Sequence, residues 1–242
     1  MRKTLWTENV CWDQPIDLSF PIKDGVNIPE CFGAAPPRFD PFTSGNYIGS
    51  IEKGSPVNFF NIHINPHGTT THTECYGHIH NGHYLTNCIE KFLYNAYLID
   101  AGLTQKENGD QVVMPEDIDA MWPEDTEALI VRTPKIKAYD GQFTEKNPVY
   151  FHASTIDLVN KNGIEHILVE WPSLDKEEDG GKLLAHHAFW NIDGEWQKHK
   201  TITELIRLPE NIQAGKYVLN LQVLAIDLDV SPSRPVLYAI KP

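Results

Sequence analysis

Histidines crowd into one short segment of this 242-residue chain. Six of the eleven histidines lie within residues 63–83. The run NPHGTTTHTECYGHI places His67, His72 and His78 around one carboxylate, Glu74, among small Gly and Thr residues. Imidazole and carboxylate groups together suit zinc or manganese. The segment therefore predicts a metal site, and a coincidental polar face is the alternative interpretation.

The spacing within this segment indicates how the side chains could converge. His72 and Glu74 are two residues apart, so in an extended strand they would project from one face. His78 follows at a further even spacing and could share that face if the strand continues. His80 and His83 are interpreted as ordinary histidines, because lone histidines usually lie at the surface or are hydrogen-bonded in the core.

The four cysteines offer no competing metal site. Cys11, Cys31, Cys75 and Cys88 are scattered and form no C-x-x-C pair, so zinc-finger spacing is missing. Scattered thiols are typical of a reducing compartment rather than of a secreted disulfide framework. We therefore expect a cytoplasmic protein.

Net charge and hydropathy argue against two classes of partner. The formal net charge is −13, from 33 acidic and 20 basic residues, and no long Lys/Arg cluster offsets it. Such a surface repels phosphate backbones, so nucleic acid is not an expected partner. No apolar run approaches the roughly 20 residues that a membrane-spanning helix needs, so a membrane partner is not expected either.

The hydrophobic pattern around the histidine segment predicts a strand-rich chain. A Pro- and Gly-rich stretch, Pro29–Gly45, is interpreted as a long irregular loop. Short β-branched or alternating runs indicate strands at Ile16–Phe20, Val57–Asn65, Tyr97–Ala101, Ala128–Arg132, His166–Glu170, Tyr217–Asp227 and Val236–Ile240.

Three short segments are interpreted as helices. Met114–Met121 has a proline in its first turn, and Ser154–Asn162 has a capping serine and stops before Gly163. Leu183–Trp190 is a further candidate. Because single helices are interspersed among many strands, the pattern predicts one α/β domain with a mixed sheet over residues 1–242.

The histidine segment resembles the signature of the cyclase family of metal-dependent hydrolases, which includes kynurenine formamidase and isatin hydrolase. That signature runs H-x-G-T-H-x-D-x-P-x-H. The run T-H-T-E-C-Y-G-H keeps the spacing from the second histidine to the acid and on to the last histidine.

Further segments are similar to motifs of this family and follow in the same order along the chain. Five ordered matches are more specific than any single one. Besides the histidine segment they are Asp17–Pro21 (family D-x-S-x-P), Leu129–Thr133 (the central strand), Glu170–Asp175 (D-T-P-S-x-D) and Ser231–Pro235 (S-P-x-R-A).

The resemblance implies a set of metal ligands. His67, His72 and Glu74 would hold a first metal, and Glu74 would bridge to a second one. A histidine and a glutamate from the later half of the chain would complete the second site, so one or two divalent ions per chain are expected. Zinc is the expected metal and manganese the alternative.

The later ligands are assigned from two short matches. Leu184–Trp190 (L-A-H-H-A-F-W) is similar to the family's A-H-R-x-L-L segment and nominates His186, with His187 as the alternative. The T-E-L sequence around Glu204 resembles the family's x-E-N-L. Without the resemblance, Glu204 would be interpreted as a solvated carboxylate on an amphipathic stretch.

The chain departs from the family pattern at the site itself. Four residues rather than three separate His67 from His72, Glu74 replaces the usual aspartate, and Tyr76 stands where proline is expected. The stretch between the two later ligands is also longer. These differences leave the number of metals and the substrate open.

The residue types indicate a hydrolytic reaction. A bound divalent metal lowers the pKa of water from 15.7 towards about 7, which supplies hydroxide at neutral pH. His78 matches the family's general base and acid, and an ordinary histidine pKa near 6.5 suits that role. We expect this hydroxide to attack the carbonyl of an amide, formamide or lactam-like, in a small molecule. The chain contains no G-x-S-x-G elbow, which argues against a serine hydrolase.

The resemblance also implies a swivelling β/β/α-type fold and a homodimer or larger homo-oligomer. Two other functions are open. One is a metal-dependent cyclase or dehydratase acting on a small metabolite. The other is a catalytically silent protein that binds a metal or a small ligand, which would have no need of a proton shuttle such as His78.

Overall fold

One large mixed sheet organises the chain. The structure is a computed structural model that describes residues 3–134 and 141–241. Within these residues the strands are β1 (Ile16–Asp17), β2 (Arg38–Pro41), β3 (Thr43–Ser44), β4 (Tyr47–Ile48), β5 (Phe60–His63), β6 (His72–Cys75), β7 (Leu93–Asp100), β8 (Thr104–Gln105), β9 (Gln111–Val113), β10 (Ala128–Arg132), β11 (Tyr150–Phe151), β12 (His166–Val169), β13 (Thr201–Glu204), β14 (Gly215–Asn220), β15 (Val230–Pro232) and β16 (Val236–Ala239).

The helices of the described ranges are short. They are α1 (Pro66–Thr69), α2 (Ala153–Lys161) and α3 (Leu184–Trp190), with 3-10 turns at Ile51–Lys53, Tyr76–His78, Leu85–Asn87 and Pro115–Asp117. No helix in the part of the chain that the structure describes is long and apolar enough to cross a membrane.

The nine strands of the large sheet run in the order β1-β16-β14-β7-β10-β12-β13-β6-β15. The four central strands, β7, β10, β12 and β13, are parallel, and the flanking strands pair antiparallel. Parallel strands covered on both faces are expected to contain continuous apolar runs. Strand β10 has the run ALIV and strand β12 the run ILV. The predicted α/β domain with a mixed sheet is therefore confirmed.

Alternate residues of the central strands face two different apolar clusters. Leu129 and Val131 of β10 pack with residues of α2 and α3, while Ile130 packs on the other face with Leu219 and Leu237. This division follows from the two-residue period of a strand. The helices thus cover one face of the sheet, and α3 lies on that face.

Several predicted element boundaries are wrong. Met114–Met121 forms only one 3-10 turn, and the chain is extended again at its end. Helix α2 is capped by His152, whose side chain accepts a hydrogen bond from the N–H of Ser154 at 3.3 Å, so Ser154 is not the cap. The predicted loop Pro29–Gly45 contains β2 and β3. Strand β2 pairs antiparallel with β5 and strand β3 with β4. These four strands form an arm, residues 38–63.

Candidate metal centre

Two antiparallel strands, β6 and β13, place three of the predicted ligands side by side. His72 and Glu204 are direct cross-strand partners, and Nε2 of His72 lies 3.3 Å from Oε2 of Glu204. Glu74 is two residues farther along β6 and therefore projects from the same face of the strand. The extended arrangement expected for His72 and Glu74 is thus present, and Glu204 joins them from the neighbouring strand.

A short helix brings His67 to the same carboxylate. Helix α1 begins after Asn65, whose side chain accepts a hydrogen bond from the N–H of Gly68 at 3.1 Å. Gly68 packs so closely that a Cβ atom there would lie 2.3 Å from Cβ of Ala34. This packing fixes the turn that carries His67, and Nε2 of His67 lies 3.3 Å from Oε2 of Glu74.

His78 reaches Glu74 from the end of β6. The strand ends at Cys75 and the 3-10 turn Tyr76–His78 follows, so the strand does not continue to His78. The turn nevertheless brings Nδ1 of His78 to 3.5 Å from Oε2 of Glu74. His67 and His78 therefore face one oxygen of the same carboxylate, and their ring centroids are 4.6 Å apart.

Helix α3 supplies the later histidine. Nε2 of His186 lies 3.1 Å from Oε1 of Glu74 and 3.9 Å from Oε1 of Glu204. On the other side of the ring, Nδ1 lies 2.6 Å from Oδ2 of Asp175. His187 is partly exposed on the same helix. Of the two histidines that the sequence left open, His186 is the one in the cluster.

Exposure divides the cluster into a closed and an open side. The side chains of His72, Glu74 and His186 are 0%, 1% and 3% exposed. Those of His67 and His78 are 28% and 30% exposed. The cluster is therefore open to solvent on the side of His67 and His78.

Two buried groups, His186 and Glu204, have pKa values above 7 and keep their protons at neutral pH, where the same side chains in water would be deprotonated. Burial lowers the pKa of His186, but the hydrogen bonds with Asp175 and Glu74 outweigh it and raise the pKa to about 10. Burial and the charge of Glu74 raise the pKa of Glu204 to about 8. Without a cation, the cluster therefore compensates its carboxylates with protons.

Two further pKa shifts keep one carboxylate charged and one histidine neutral. Burial opposes ionisation of Glu74, but the charge of His78 and the close contacts of His186 and His67 hold the pKa of Glu74 well below the usual value. Burial lowers the pKa of His72. A charged carboxylate and a neutral imidazole are the forms that bind metal ions.

The arrangement of donor atoms fits a divalent cation. Two groups have ligand atoms within 4.8 Å of one another, His67 with Glu74 and His78, and His72 with Glu74 and Glu204. Nε2 of His67 and Nε2 of His72 are buried, and each lies 3.3 Å from a carboxylate oxygen without the alignment of a hydrogen bond to any described residue. Because buried polar atoms normally have partners, these two nitrogen atoms are consistent with ligands whose partner is a metal ion.

Two carboxylates of the site were not predicted as functional. Asp175 belongs to the E-W-P-S-L-D match, but nothing in that match shows that its side chain contacts His186. Asp229 lies 3.4 Å from Nδ1 of His78 and 3.6 Å from Nε2 of His67. Its position two residues before the S-P-S-R-P match is the only sequence signal that could have drawn attention to it.

The fold is shared with solved structures of low sequence identity. A predicted metal-dependent hydrolase from Bacillus stearothermophilus has a TM-score of 0.66 at 16% identity, over 93% of this chain and 98% of that one. Isatin hydrolase A from Labrenzia aggregata, bound to benzyl benzoate, has a TM-score of 0.65 at 20% identity, over 94% of each chain. An isatin hydrolase bound to the product analogue thioisatinate has a TM-score of 0.67 at 15% identity, over 96% and 94%. The fold type expected from the resemblance is thereby confirmed.

A family model matches a long part of the chain. The model described as "Putative cyclase" matches residues 16–176, which is more than half of the 242 residues and includes β6 with His72 and Glu74. His186 and Glu204 lie beyond the matched range, and the fold brings them to Glu74. The chain belongs to the cyclase family.

Proposed function

We propose that the protein is a metal-dependent hydrolase that cleaves an amide bond, formamide or lactam-like, in a small molecule. The observation that carries the proposal is the convergence of three imidazoles on two buried carboxylates. Nε2 of His186 lies 3.1 Å from Glu74, and Nε2 of His72 lies 3.3 Å from Glu204. His67 contacts Glu74 from the open side. Names of structurally similar proteins support hydrolysis as the reaction class.

We propose His67, His72, Glu74, His186 and Glu204 as the metal ligands. Zinc suits this mixture of imidazole and carboxylate best, and manganese is the alternative. A divalent cation at such a site acidifies water and polarises carbonyl groups. Oε1 of Glu74 faces His186 and Oε2 faces His67. Because its two oxygen atoms face different histidines, Glu74 would be the residue suited to bridge two ions.

We propose His78 as the group that takes a proton from water and returns it to the leaving nitrogen. Its side chain is 30% exposed on the open side of the cluster, where substrate can arrive. General acid–base catalysis needs a group within hydrogen-bond reach of the proton that moves. His78 meets this condition better than the buried His72 or His186.

Two alternative functions make different predictions. A metal-dependent cyclase or dehydratase would turn over a small metabolite without net hydrolysis. A silent metal-binding or ligand-binding protein would bind zinc but would turn over no substrate. The exposed position of His78 beside the carboxylates favours an enzyme, because a silent metal site needs no partly exposed proton carrier.

We also propose a homodimer or larger homo-oligomer. The support is the arm (residues 38–63), which exposes many large apolar side chains, and exposed apolar patches are typical of interaction sites. These side chains are Tyr47, Ile48, Ile51, Val57, Phe59, Phe60 and Ile62. A cytoplasmic location is proposed from the four free cysteines.

The test is metal analysis followed by a substrate screen. Purified protein is expected to contain zinc or manganese, to hydrolyse members of a panel of aryl formamides and lactams, and to lose this activity on chelation. His72→Ala should lose metal, whereas His80→Ala, a change in the same segment, should retain it. Absence of metal binding, even after zinc and manganese are added, would end the proposal. Metal binding without turnover of any amide or lactam would favour the silent alternative.

A further inference from the structure

The strand pairing around β15 places a further carboxylate at the open side of the cluster. The carbonyl of Asp229 accepts a hydrogen bond from the N–H of Cys75 at 2.9 Å, and Val230 is the cross-strand partner of Glu74. Gly77 allows the close approach, since a Cβ atom there would lie 3.1 Å from Cβ of Asp229. The backbone of Asp229 is therefore held by β6, the strand that carries Glu74.

The carboxylate of Asp229 contacts the two exposed histidines. Oδ2 of Asp229 forms a hydrogen bond with Nδ1 of His78 at 3.4 Å and lies 3.6 Å from Nε2 of His67. Oε2 of Glu74 lies 3.5 Å and 3.3 Å from the same two nitrogen atoms. Each histidine thus stands between two carboxylates, one buried and one partly exposed.

The two carboxylates are suited to different tasks. Glu74 is 1% exposed and also contacts His186, so it is placed to bind a cation. An oxygen that shares its lone pairs with a cation is a poorer acceptor for a histidine proton. Asp229 then remains as the acceptor for Nδ1–H of His78, and Nε2 of His67 would be a ligand of the cation.

We propose that Asp229 is a positioning residue that holds the proton of His78 on Nδ1 and so leaves Nε2 as the atom that exchanges protons with substrate and water. This inference rests on the proposed function of His78. The tautomer of a histidine is set by the hydrogen bond of its other nitrogen. Asp229 itself stays ionised, as orienting carboxylates do in comparable histidine pairs.

The experiment compares Asp229→Ala with Asp227→Ala. Asp227 lies two residues away in the same loop, and its carboxylate accepts only a 3.5 Å hydrogen bond from Thr86 among the described residues. Three quantities are measured for each variant and for the parent: zinc affinity by calorimetry, kcat and KM for the best substrate, and the tautomer of His78. Long-range proton–nitrogen spectra of zinc-loaded and metal-free protein at alkaline pH report the tautomer, and His78→Ala assigns its signals.

We expect Asp229→Ala to bind zinc within about threefold of the parent and to lower kcat by about 10–100-fold with little change in KM. In Asp229→Ala a smaller fraction of His78 should carry its proton on Nδ1. Asp227→Ala should equal the parent in zinc affinity, in kcat and KM, and in the tautomer of His78. Loss of zinc in Asp229→Ala would make Asp229 a ligand and overturn the inference. An unchanged His78 tautomer would overturn it as well. If no substrate is found, the tautomer and the zinc affinity still decide the inference, so its failure is separable from failure of the proposed function.

Discussion

Oδ2 of Asp175 lies 2.6 Å from Nδ1 of His186, and this contact turns the opposite nitrogen of the ring towards Glu74. The same carboxylate accepts hydrogen bonds from the N–H groups of Ala185 and His186 at 2.7 Å and 3.0 Å. One aspartate therefore fixes both the start of α3 and the orientation of its histidine. Such partners of metal-binding histidines set the tautomer and the ring angle.

Replacement of Asp175 is expected to weaken metal binding. Asp175→Asn should lower zinc affinity by about 10–100-fold, because an amide holds the imidazole less firmly than a carboxylate. Asp179→Asn is the matched control, since Asp179 also accepts N–H groups before α3, from Gly181 and Leu183, at 2.7 Å and 2.6 Å. Calorimetric zinc titration measures both variants. If both variants lose zinc affinity equally, the effect comes from the start of α3 and not from the contact of Asp175 with the ring of His186.

The stability of metal-free protein is expected to fall as pH rises above neutrality. The folded pKa of His186 is raised to about 10, so its stabilising contribution is complete below its ordinary pKa near 6.5 and is lost as pH rises through about 10. The pKa of Glu204 is raised to about 8, so its contribution falls between its ordinary value near 4.5 and about 8. Both groups act in the same direction between pH 6.5 and 8. Thermal unfolding of chelated protein at several pH values tests this, and His186→Gln should flatten the profile above pH 8.

Metal binding is expected to release protons at pH 7. His186 and Glu204 hold protons there, because their pKa values are about 10 and about 8, and a cation that binds these residues must displace them. Zinc affinity should therefore increase from pH 7 to pH 9. Titrations in buffers of different ionisation enthalpy measure the number of protons released. A value of zero at pH 7 would contradict the ligand assignment of these two residues.

The fold could be predicted where local pattern and tertiary environment agree. Ala128–Arg132 is a strand with the predicted bounds, because its apolar run suits a strand buried on both faces. The predicted helix at Met114–Met121 fails after one turn. There the carboxylate of Asp117 accepts hydrogen bonds from Thr104 and from the N–H of Met114, both at 2.9 Å. A contact with a neighbouring strand thus replaces the second turn of the helix.

The site could be predicted in part for a similar reason. His72 and Glu74 are close in sequence, so their spacing alone indicated a shared face. His186 and Glu204 required the family resemblance, because only the pairing of β13 with β6 and the placement of α3 bring them to Glu74. Asp229 is 151 residues from its partner His78, and no local pattern predicts a contact at that separation.

The arm is expected to mediate self-association. Phe60 and Ile62 of β5 are 44% and 64% exposed, and a second copy would bury them. The parent protein should have the mass of a dimer or larger oligomer by light scattering, and Phe60→Ser with Ile62→Ser should shift it to the monomer. Met121→Ser, at an 81% exposed side chain outside the arm, should leave the mass unchanged. A monomeric parent would contradict the proposal.

Two histidine variants separate a ligand from a proton carrier. His72→Ala should lose metal, because His72 is buried with its Nε2 beside Glu204. His78→Ala should retain metal and reduce turnover, by typically about 10²–10⁴-fold for general acid–base catalysis. Nδ1 of His78 is nearly as close to Glu74 as Nε2 of His67 is, which makes metal content the deciding measurement. Equal loss of metal in the two variants would make His78 a ligand.

The last prediction concerns the glutamate that stands where the family signature has aspartate. Glu74 extends one oxygen to His186 at 3.1 Å and the other to His67 at 3.3 Å. The extra residue lies between His67 and His72, and we infer that the longer side chain of Glu74 and the longer connection compensate for each other. An aspartate would withdraw both oxygen atoms by about 1.5 Å, the length of one carbon–carbon bond. Metal ligands tolerate only about 0.2 Å around their preferred distances.

Glu74→Asp should therefore weaken zinc binding by at least about 10-fold, although it restores the residue of the signature. Glu74→Gln should weaken it through loss of charge while keeping the length, so the two variants separate reach from charge. Glu195→Asp, at an exposed glutamate outside the cluster, should bind as the parent does. Calorimetric titration with zinc and with manganese measures all three variants. If Glu74→Asp binds zinc as tightly as the parent, the reach of the side chain is not what requires glutamate here, and the added residue between His67 and His72 needs another explanation.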